Sequence, residues 1–275
     1  MIEQSNGWKH FWNSGRFWKA LVAVVGYIVL YQLAGLALGP LVGDQIDKDN
    51  LFATPASVFF GLGAAIVVGS IILIVFTASV GWLRPLFAKQ PIGGRWWMWI
   101  FVLLVIIPIV LRFVGIDYGF YGADVVVTSL FVGLLIGFAE ELLYRGIVVK
   151  ILRDAGHREW IVAVGSALLF ALSHSINLLV GQPVIVVLLT VVYTFGFGIL
   201  MYLVMRVTGN LVWAMLVHAM TDPTTFLAAG AVDASTGVAH SPILDIAGPF
   251  NIIFFVAALV ALIFIRGRVA QPAHV

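Results

Sequence analysis

The sequence predicts an all-α, polytopic transmembrane helical bundle of about eight spans, with both termini in the cytoplasm. Three observations carry that expectation: an oily composition, apolar stretches of membrane-crossing length, and an alternation of basic and acidic loops. Of 275 residues, 62% are hydrophobic and only 10% charged, and the mean hydropathy is +1.08. A soluble domain carries about 25% charged residues. So few charges cannot clothe a water-facing surface, and most of the chain belongs in a bilayer as an integral cell membrane protein.

A helix needs about 20 apolar residues to cross the hydrocarbon. Such stretches fall at 17–39, 56–83, 96–114, 125–149, 159–176, 184–205, 210–228 and 248–265. The first is longer than the apolar region of a cleaved signal peptide, about 7–15 residues. Basic residues gather in alternate connections: Lys9, Arg16 and Lys19; Arg84, Lys89 and Arg95; Lys150, Arg153 and Arg158; Arg206; Arg266 and Arg268. The intervening loops hold Asp44, Asp47, Asp49, Asp117, Asp124, Asp233 and Asp245, with Lys48 and Arg112 as their basic residues. The positive-inside rule then places both termini in the cytoplasm. "WKHFWNSGRFWK" (8–19) can lie flat at the headgroups, and "RWWMW" (95–99) reads as an aromatic belt at the same surface.

Composition also excludes functions. There are no cysteines, so disulfides, thiolate nucleophiles and thiolate metal sites are out of reach. No Lys/Arg tract points to nucleic acid.

Polar residues inside such a bundle are costly and usually functional, and here they concentrate in the second half. In "GFAEELLYRG" (137–146), Glu140 and Glu141 lie 100° apart on the helix and cannot share a face. Glu141 and Arg145, at i and i+4, are in the favourable order for an ion pair, which leaves Glu140 without a local partner. Gly133 and Gly137 would let another helix pack close. "FALSHSIN" (170–177) sets Phe170 and His174 at i, i+4 with Asn177 one turn on, and "HAMTD" (218–222) does the same for His218 and Asp222. Pro223 biases Asp222 toward a helix end or kink. At 1.5 Å per residue, Glu140, His174 and His218 lie roughly 12, 21 and 13 Å below the cytoplasmic interface. Similar depth on three helices reads as one buried polar site.

With no thiol and no serine in a nucleophile elbow, the chemistry left is activated water. A desolvated carboxylate suits general-base work; Glu140 would take that part. His174 would hold the same water, and His218 would donate to the oxyanion of a tetrahedral intermediate. Zinc is the competing chemistry, since Glu140, His174 and His218 are a possible ligand set, although the helical H-E-x-x-H signature is absent.

These three motifs resemble the E-E-x-x-x-R, F-x-x-x-H and H-x-x-x-N/D motifs of the CPBP family. That family comprises type II CAAX prenyl proteases and bacterial proteins linked to bacteriocin processing or self-immunity. The resemblance covers roughly residues 125–225. It implies an intramembrane endopeptidase with a cavity open toward the cytoplasm, acting on a membrane-associated peptide or protein. By position, Glu140 would activate the water with His174 as its partner. His218 and Asp222 would occupy the oxyanion positions, with Glu141 and Arg145 in support and Asn177 beside them. The chain departs from the eukaryotic members in having Asp222 where they have Asn. An ionised Asp222 would repel an oxyanion, so it must be protonated or orient His218. Asp is common among bacterial-type members, which points away from a dedicated prenyl-protein protease.

The chain then divides into a cytoplasmic interfacial segment (1–16), N-terminal transmembrane helices (17–124), catalytic helices (125–228), and a loop, last span and cytoplasmic tail (229–275). Expected partners are membrane lipid and the substrate, with no nucleic acid. No cofactor is expected, Zn2+ being the alternative; Glu141–Arg145 pairing leaves few anionic ligands to balance a dication. Two other readings use the same residues. One is a non-catalytic immunity or scaffold protein that binds a peptide in the cavity. The other is a proton-coupled transporter, which predicts an inverted repeat; the confinement of polar residues to one half argues against it.

Overall fold

The computed structural model describes residues 7–229 and 241–270, so Asp233 and the outer ends of the chain lie outside the described residues. Within them the chain is all helix, with no strand and one isolated bridge, Arg158 to Arg268. A short helix α1 (Gly7–Asn13) precedes α2 (Phe17–Val42), α3 (Pro55–Ser79), the short α4 (Leu83–Leu86) and α5 (Met98–Gly115). Then follow α6 (Ala123–Asp154), α7 (Glu159–Leu179), α8 (Val184–Thr208), α9 (Leu211–Ala229) and α10 (Pro242–Phe264).

Among the described residues seven helices are long and apolar enough to cross a membrane: α2, α3, α5, α6, α7, α8 and α10. The expected span at 210–228 is a helix of sufficient length, α9, but it is not apolar enough to stand with them. His218, Thr221, Asp222, Thr224 and Thr225 dilute it. It can still run through the bundle because α6 and α5 cover it, and His218, Thr221 and Thr224 are buried.

Cross-bundle hydrogen bonds identify two ends. At one, Trp82 Nε1 donates to Asn13 Oδ1 (2.8 Å), the Gln90 amide to the Gly209 carbonyl (2.8 Å), and the Glu159 amide to the Gly267 carbonyl (2.9 Å). At the other, Tyr121 donates its hydroxyl to the Leu227 carbonyl (3.0 Å) and packs on Phe52. The basic connections thus share one end. Arg112 is not among loop residues: it is buried within α5, and its Nη2 donates to Asn251 Oδ1 of α10 (3.3 Å). The aromatic N-terminal segment also differs from a purely interfacial ribbon. Trp8 and Phe11 are exposed, but Trp12 is buried against Phe76, 4.9 Å between ring centroids.

The contact that positions the site is α9 against α6, the most extensive helix pair of the bundle. A Cβ on Gly137 would lie 2.5 Å from the Met215 carbonyl oxygen, and one on Gly133 would lie 2.4 Å from that of Ala219. Only glycine permits that approach, as the spacing predicted. Pro223 explains the second contact. Lacking an N–H, it leaves the Ala219 carbonyl without its helical donor, and that oxygen turns to the bare Gly133 backbone. The helix nonetheless continues through Pro223, so Asp222 lies inside α9 rather than at its end.

Candidate active site

Immediately after Glu141, α6 widens from α-helical to π-helical hydrogen bonding over Leu142–Val148. Such segments are rare and cluster at functional sites because they re-aim side chains. Here the widening carries Arg145 into the core, where Nη1 donates to Glu141 Oε1 at 2.9 Å, with neither side chain exposed. The guanidinium lies over the Phe170 ring, 4.6 Å from its centroid. Glu141 is therefore sequestered by Arg145, as its spacing predicted.

The same oxygen has a second partner that the sequence did not reveal. His218 Nδ1 lies 2.7 Å from Glu141 Oε1. A carboxylate can only accept, so Nδ1 carries a proton and the ring is oriented by Glu141. Its other nitrogen, Nε2, then faces Glu140 Oε2 at 3.4 Å and Asp222 Oδ2 at 3.7 Å. Glu140 differs from its neighbour: its side chain is 25% exposed against 0% for Glu141. That exposed surface belongs to a cavity of about 280 Å³ bordered also by His174, Asn177, His218 and Asp222. The residues read from three separate motifs thus meet at one cavity, with Glu141 and Arg145 behind its wall.

His174 stands at the point where α7 tightens from an α-helix ending at Ser173 to a 3-10 turn. Its Nδ1 lies 2.9 Å from the Phe170 carbonyl. Because a carbonyl accepts, Nδ1 is the protonated nitrogen, and Nε2 of the neutral ring is an acceptor. His174 makes no direct ion pair with Glu140 among the described residues; His218 is the nearer imidazole. Phe170 organises both rings edge-on, with centroids 4.9 Å from His174 and 5.8 Å from His218, while Phe197 packs 4.9 Å from His218.

Two helices contribute groups that the motif reading missed. Tyr27 and Tyr31 of α2 border cavities that also touch Glu140, as do Tyr144 and Ser173; Tyr193 and Thr194 come from α8. The polar site is therefore not confined to the second half of the chain. The available signal was the i, i+4 pair of tyrosines in the first span, whose hydroxyls need a polar surrounding at that depth.

Among the described residues no group of three or more His, Asp or Glu side chains is placed to hold a metal ion. His218 is engaged on both sides by carboxylates, Glu141 at Nδ1 and Glu140 and Asp222 at Nε2.

Residues 122–224 match the family model described as "Type II CAAX prenyl endopeptidase Rce1-like". That stretch is similar to the Rce1-like family, which is consistent with the resemblance of its motifs to the CPBP family. The Rce1-like family is one of proteases, which supports protease activity for this membrane protein. The match takes in α6 to most of α9 and all the motif residues, and leaves α1 to α5 and α10 outside it. No curated protein and no solved structure matches the chain.

Proposed function

We propose that the chain is an intramembrane endopeptidase that hydrolyses a peptide bond of a membrane-associated protein or peptide through a water activated by Glu140. One observation carries this reading: of two adjacent glutamates, Glu141 is neutralised and walled off, while Glu140 faces a cavity beside two imidazoles of defined orientation.

The steps follow from the hydrogen-bond roles. A water in the cavity gives one proton toward His174 Nε2, an acceptor, and the other toward Glu140. Glu140 takes that proton as the water oxygen bonds to the scissile carbonyl carbon. The carbonyl electron pair moves onto oxygen, and the oxyanion is stabilised by a proton on His218 Nε2. Glu141 makes this donor tenable, because a carboxylate on Nδ1 stabilises the imidazolium while fixing the ring. Asp222, 3.7 Å from Nε2, orients His218 rather than contacting the oxyanion. Collapse breaks the C–N bond, and the proton held by Glu140 passes to the leaving amine. No metal enters any step.

The test is quantitative terminomics on membranes from cells expressing the wild type or Glu140→Gln at matched levels. New termini present with the wild type, absent with the variant and insensitive to a chelator support the mechanism. No change in termini, with both proteins holding the same partner, would replace it by the scaffold reading.

We also propose that the basic end faces the cytoplasm. The absence of cysteine makes single-cysteine labelling direct: a cysteine at Arg84 should be shielded from impermeant reagent added outside intact cells, and one at Asp117 should react. The reverse pattern would invert the topology.

A further inference from the structure

Arg112 is a buried cation that the proposed mechanism leaves unused. It stands in α5, outside the matched residues 122–224, and is only 6% exposed. Its Nη2 donates to Asn251 Oδ1 of α10 at 3.3 Å, a long bond. Among the described residues Nη1 has no hydrogen-bond partner. A guanidinium inside a membrane is costly without a counter-charge, and a neutral asparagine supplies none.

The packing of α5 shows where that charge is felt. α5 lies against α8 and α9, which carry Tyr193 and Asp222. Tyr193 is close to both charged groups, Arg112 and Asp222. Its ring is fixed by stacking, 5.9 Å between centroids from Phe254 of α10 and 6.1 Å from Phe197. Phe197 in turn packs 4.9 Å from the His218 ring. Tyr193 and Asp222 both border the cavity of about 280 Å³, and Arg112 is not among its bordering residues. Arg112 therefore reaches the site through Tyr193 and does not touch a substrate.

The balance of charge points the same way. Glu140, Glu141 and Asp222 converge on His218, and Arg145 answers Glu141. Asp222 lies 3.7 Å from His218 Nε2, too far for that contact alone to fix either group. Coulomb attraction weakens slowly with distance where water is excluded, so a guanidinium one tyrosine away still acts on the carboxylate. We infer that Arg112 is a positioning residue: with Tyr193 between them, it supplies the counter-charge that holds Asp222 toward His218, and so keeps Nε2 aimed at the oxyanion. This role rests on the proposed endopeptidase activity for its effect on turnover, and on the packing alone for its effect on the His218 ring. Of the two roles open to an Asp at this position, a protonated group or one that orients His218, the neighbouring guanidinium selects the second.

The experiment uses the purified full chain in nanodiscs and a quenched-fluorescence peptide carrying a cleavage sequence found by terminomics. It also follows the nitrogen NMR signals of the His218 ring, assigned through His218→Gln. Arg112→Gln should lower kcat by about 10-fold, within the range for coupled members of one polar network. KM should change by less than about twofold, because Arg112 does not border the cavity. Arg112→Lys keeps the charge and should recover part of the loss. In an Asp222→Asn background, Arg112→Gln should cost less than about twofold, since the carboxylate it serves is already gone. Should Arg112→Gln fail to fold, Tyr193→Phe leaves the Arg112–Asn251 bond in place and should reproduce the fall in kcat. The His218 signals should shift in both variants. A fall in kcat that is as large in the Asp222→Asn background, or His218 signals that stay in place, makes Arg112 a structural residue of the α5–α10 contact and overturns the positioning role. No cleavage by the wild type, in cells or in nanodiscs, removes the protease reading, and the ring signals then decide alone whether Arg112 positions His218.

Discussion

Two clusters of buried charge share α6 and α7, and they are built on different terms. At the basic end of the bundle, Arg153 grips Glu159 with two hydrogen bonds, Nε to Oε1 at 2.9 Å and Nη2 to Oε2 at 2.8 Å. Tyr202 adds its hydroxyl to Oε2, and Arg153 Nη1 reaches Gln90 at 2.7 Å. Both oxygens of Glu159 are used and its side chain is fully buried. At the cavity, Glu141 uses one oxygen for two partners; among the described residues its Oε2 has none, and Arg145 Nε and Nη2 also go without. Glu140 and Asp222 each expose a quarter of their side chain to the cavity. A network that closes on itself holds helices together, since buried ions must be paired to be tolerated. One that leaves carboxylates and imidazoles facing a cavity is available for chemistry. Equal burial thus conceals unequal purpose, and the distinguishing mark is which groups face a cavity.

The largest expected effect separates the clusters outright. Glu140→Gln should lower turnover by about 10²- to 10⁴-fold, the range for a lost general base, while the melting temperature in detergent hardly moves. Glu159→Ala should do the reverse. It leaves Arg153 uncompensated in a buried setting, at about 3–5 kcal/mol, while the folded fraction keeps its turnover. Activity lost in step with stability in both variants would mean that the clusters do not differ as described.

Glu141→Gln sharpens the comparison, because Glu141 belongs to both kinds. It compensates Arg145 and it orients His218. Turnover should fall by about 10²-fold, and stability by up to about 3 kcal/mol, the lower bound for breaking a buried pair, because the amide still accepts one hydrogen bond. A stability loss without a loss of turnover would make Glu141 purely structural.

Gly137→Ala tests the packing that joins the motifs. The added methyl meets the Met215 carbonyl at 2.5 Å and the Ala219 amide nitrogen at 2.7 Å, both backbone atoms that cannot swing aside. Overpacking of this kind costs about 1–3 kcal/mol, and prising α9 from α6 moves His218 off the glutamates. Thermal unfolding and turnover should fall together here, and turnover kept at a lowered melting temperature would uncouple this packing from the site.

Much of this arrangement is legible in the amino-acid order, and the limits have physical causes. Local relations were readable: Glu141 with Arg145, Gly133 and Gly137 as a close-packing face, and His218 with Asp222 are all fixed by helical periodicity. Depth counting put Glu140, His174 and His218 near one level because helices keep a regular rise. Depth does not say which atom faces which, so the bond from His218 to Glu141 across 77 residues had no sequence signal. Tyr27 and Tyr31 were hidden by composition, since tyrosine in an apolar span looks like packing. The 211–229 helix was readable as a span in length but not in character: its hydropathy is low because it carries site residues, and it is sheltered by its neighbours. Trp12 and Arg112 were misplaced because a local reading cannot tell a residue at the interface from one folded back into the bundle.

The smallest effect bounds the comparison from the other side. Lys150 and Asp154 form an i, i+4 pair at 2.8 Å close to the Arg153 cluster, with side chains 24% and 30% exposed. Lys150 Nζ also lies 5.1 Å from the Trp82 ring centroid. If pairing alone set the energetic weight of an ion pair, Asp154→Asn would resemble Glu159→Ala. Exposure argues otherwise. Water screens the pair, and helical pairs of this kind contribute about 0.3–0.5 kcal/mol, so Asp154→Asn should shift the melting temperature by a degree or so. Raising the salt should erase that small difference, because screening acts on exposed charges, and should leave the Glu159→Ala deficit intact. A salt-insensitive loss of several kcal/mol at Asp154 would instead make it a member of the closed network, whose boundary would then extend to the membrane surface.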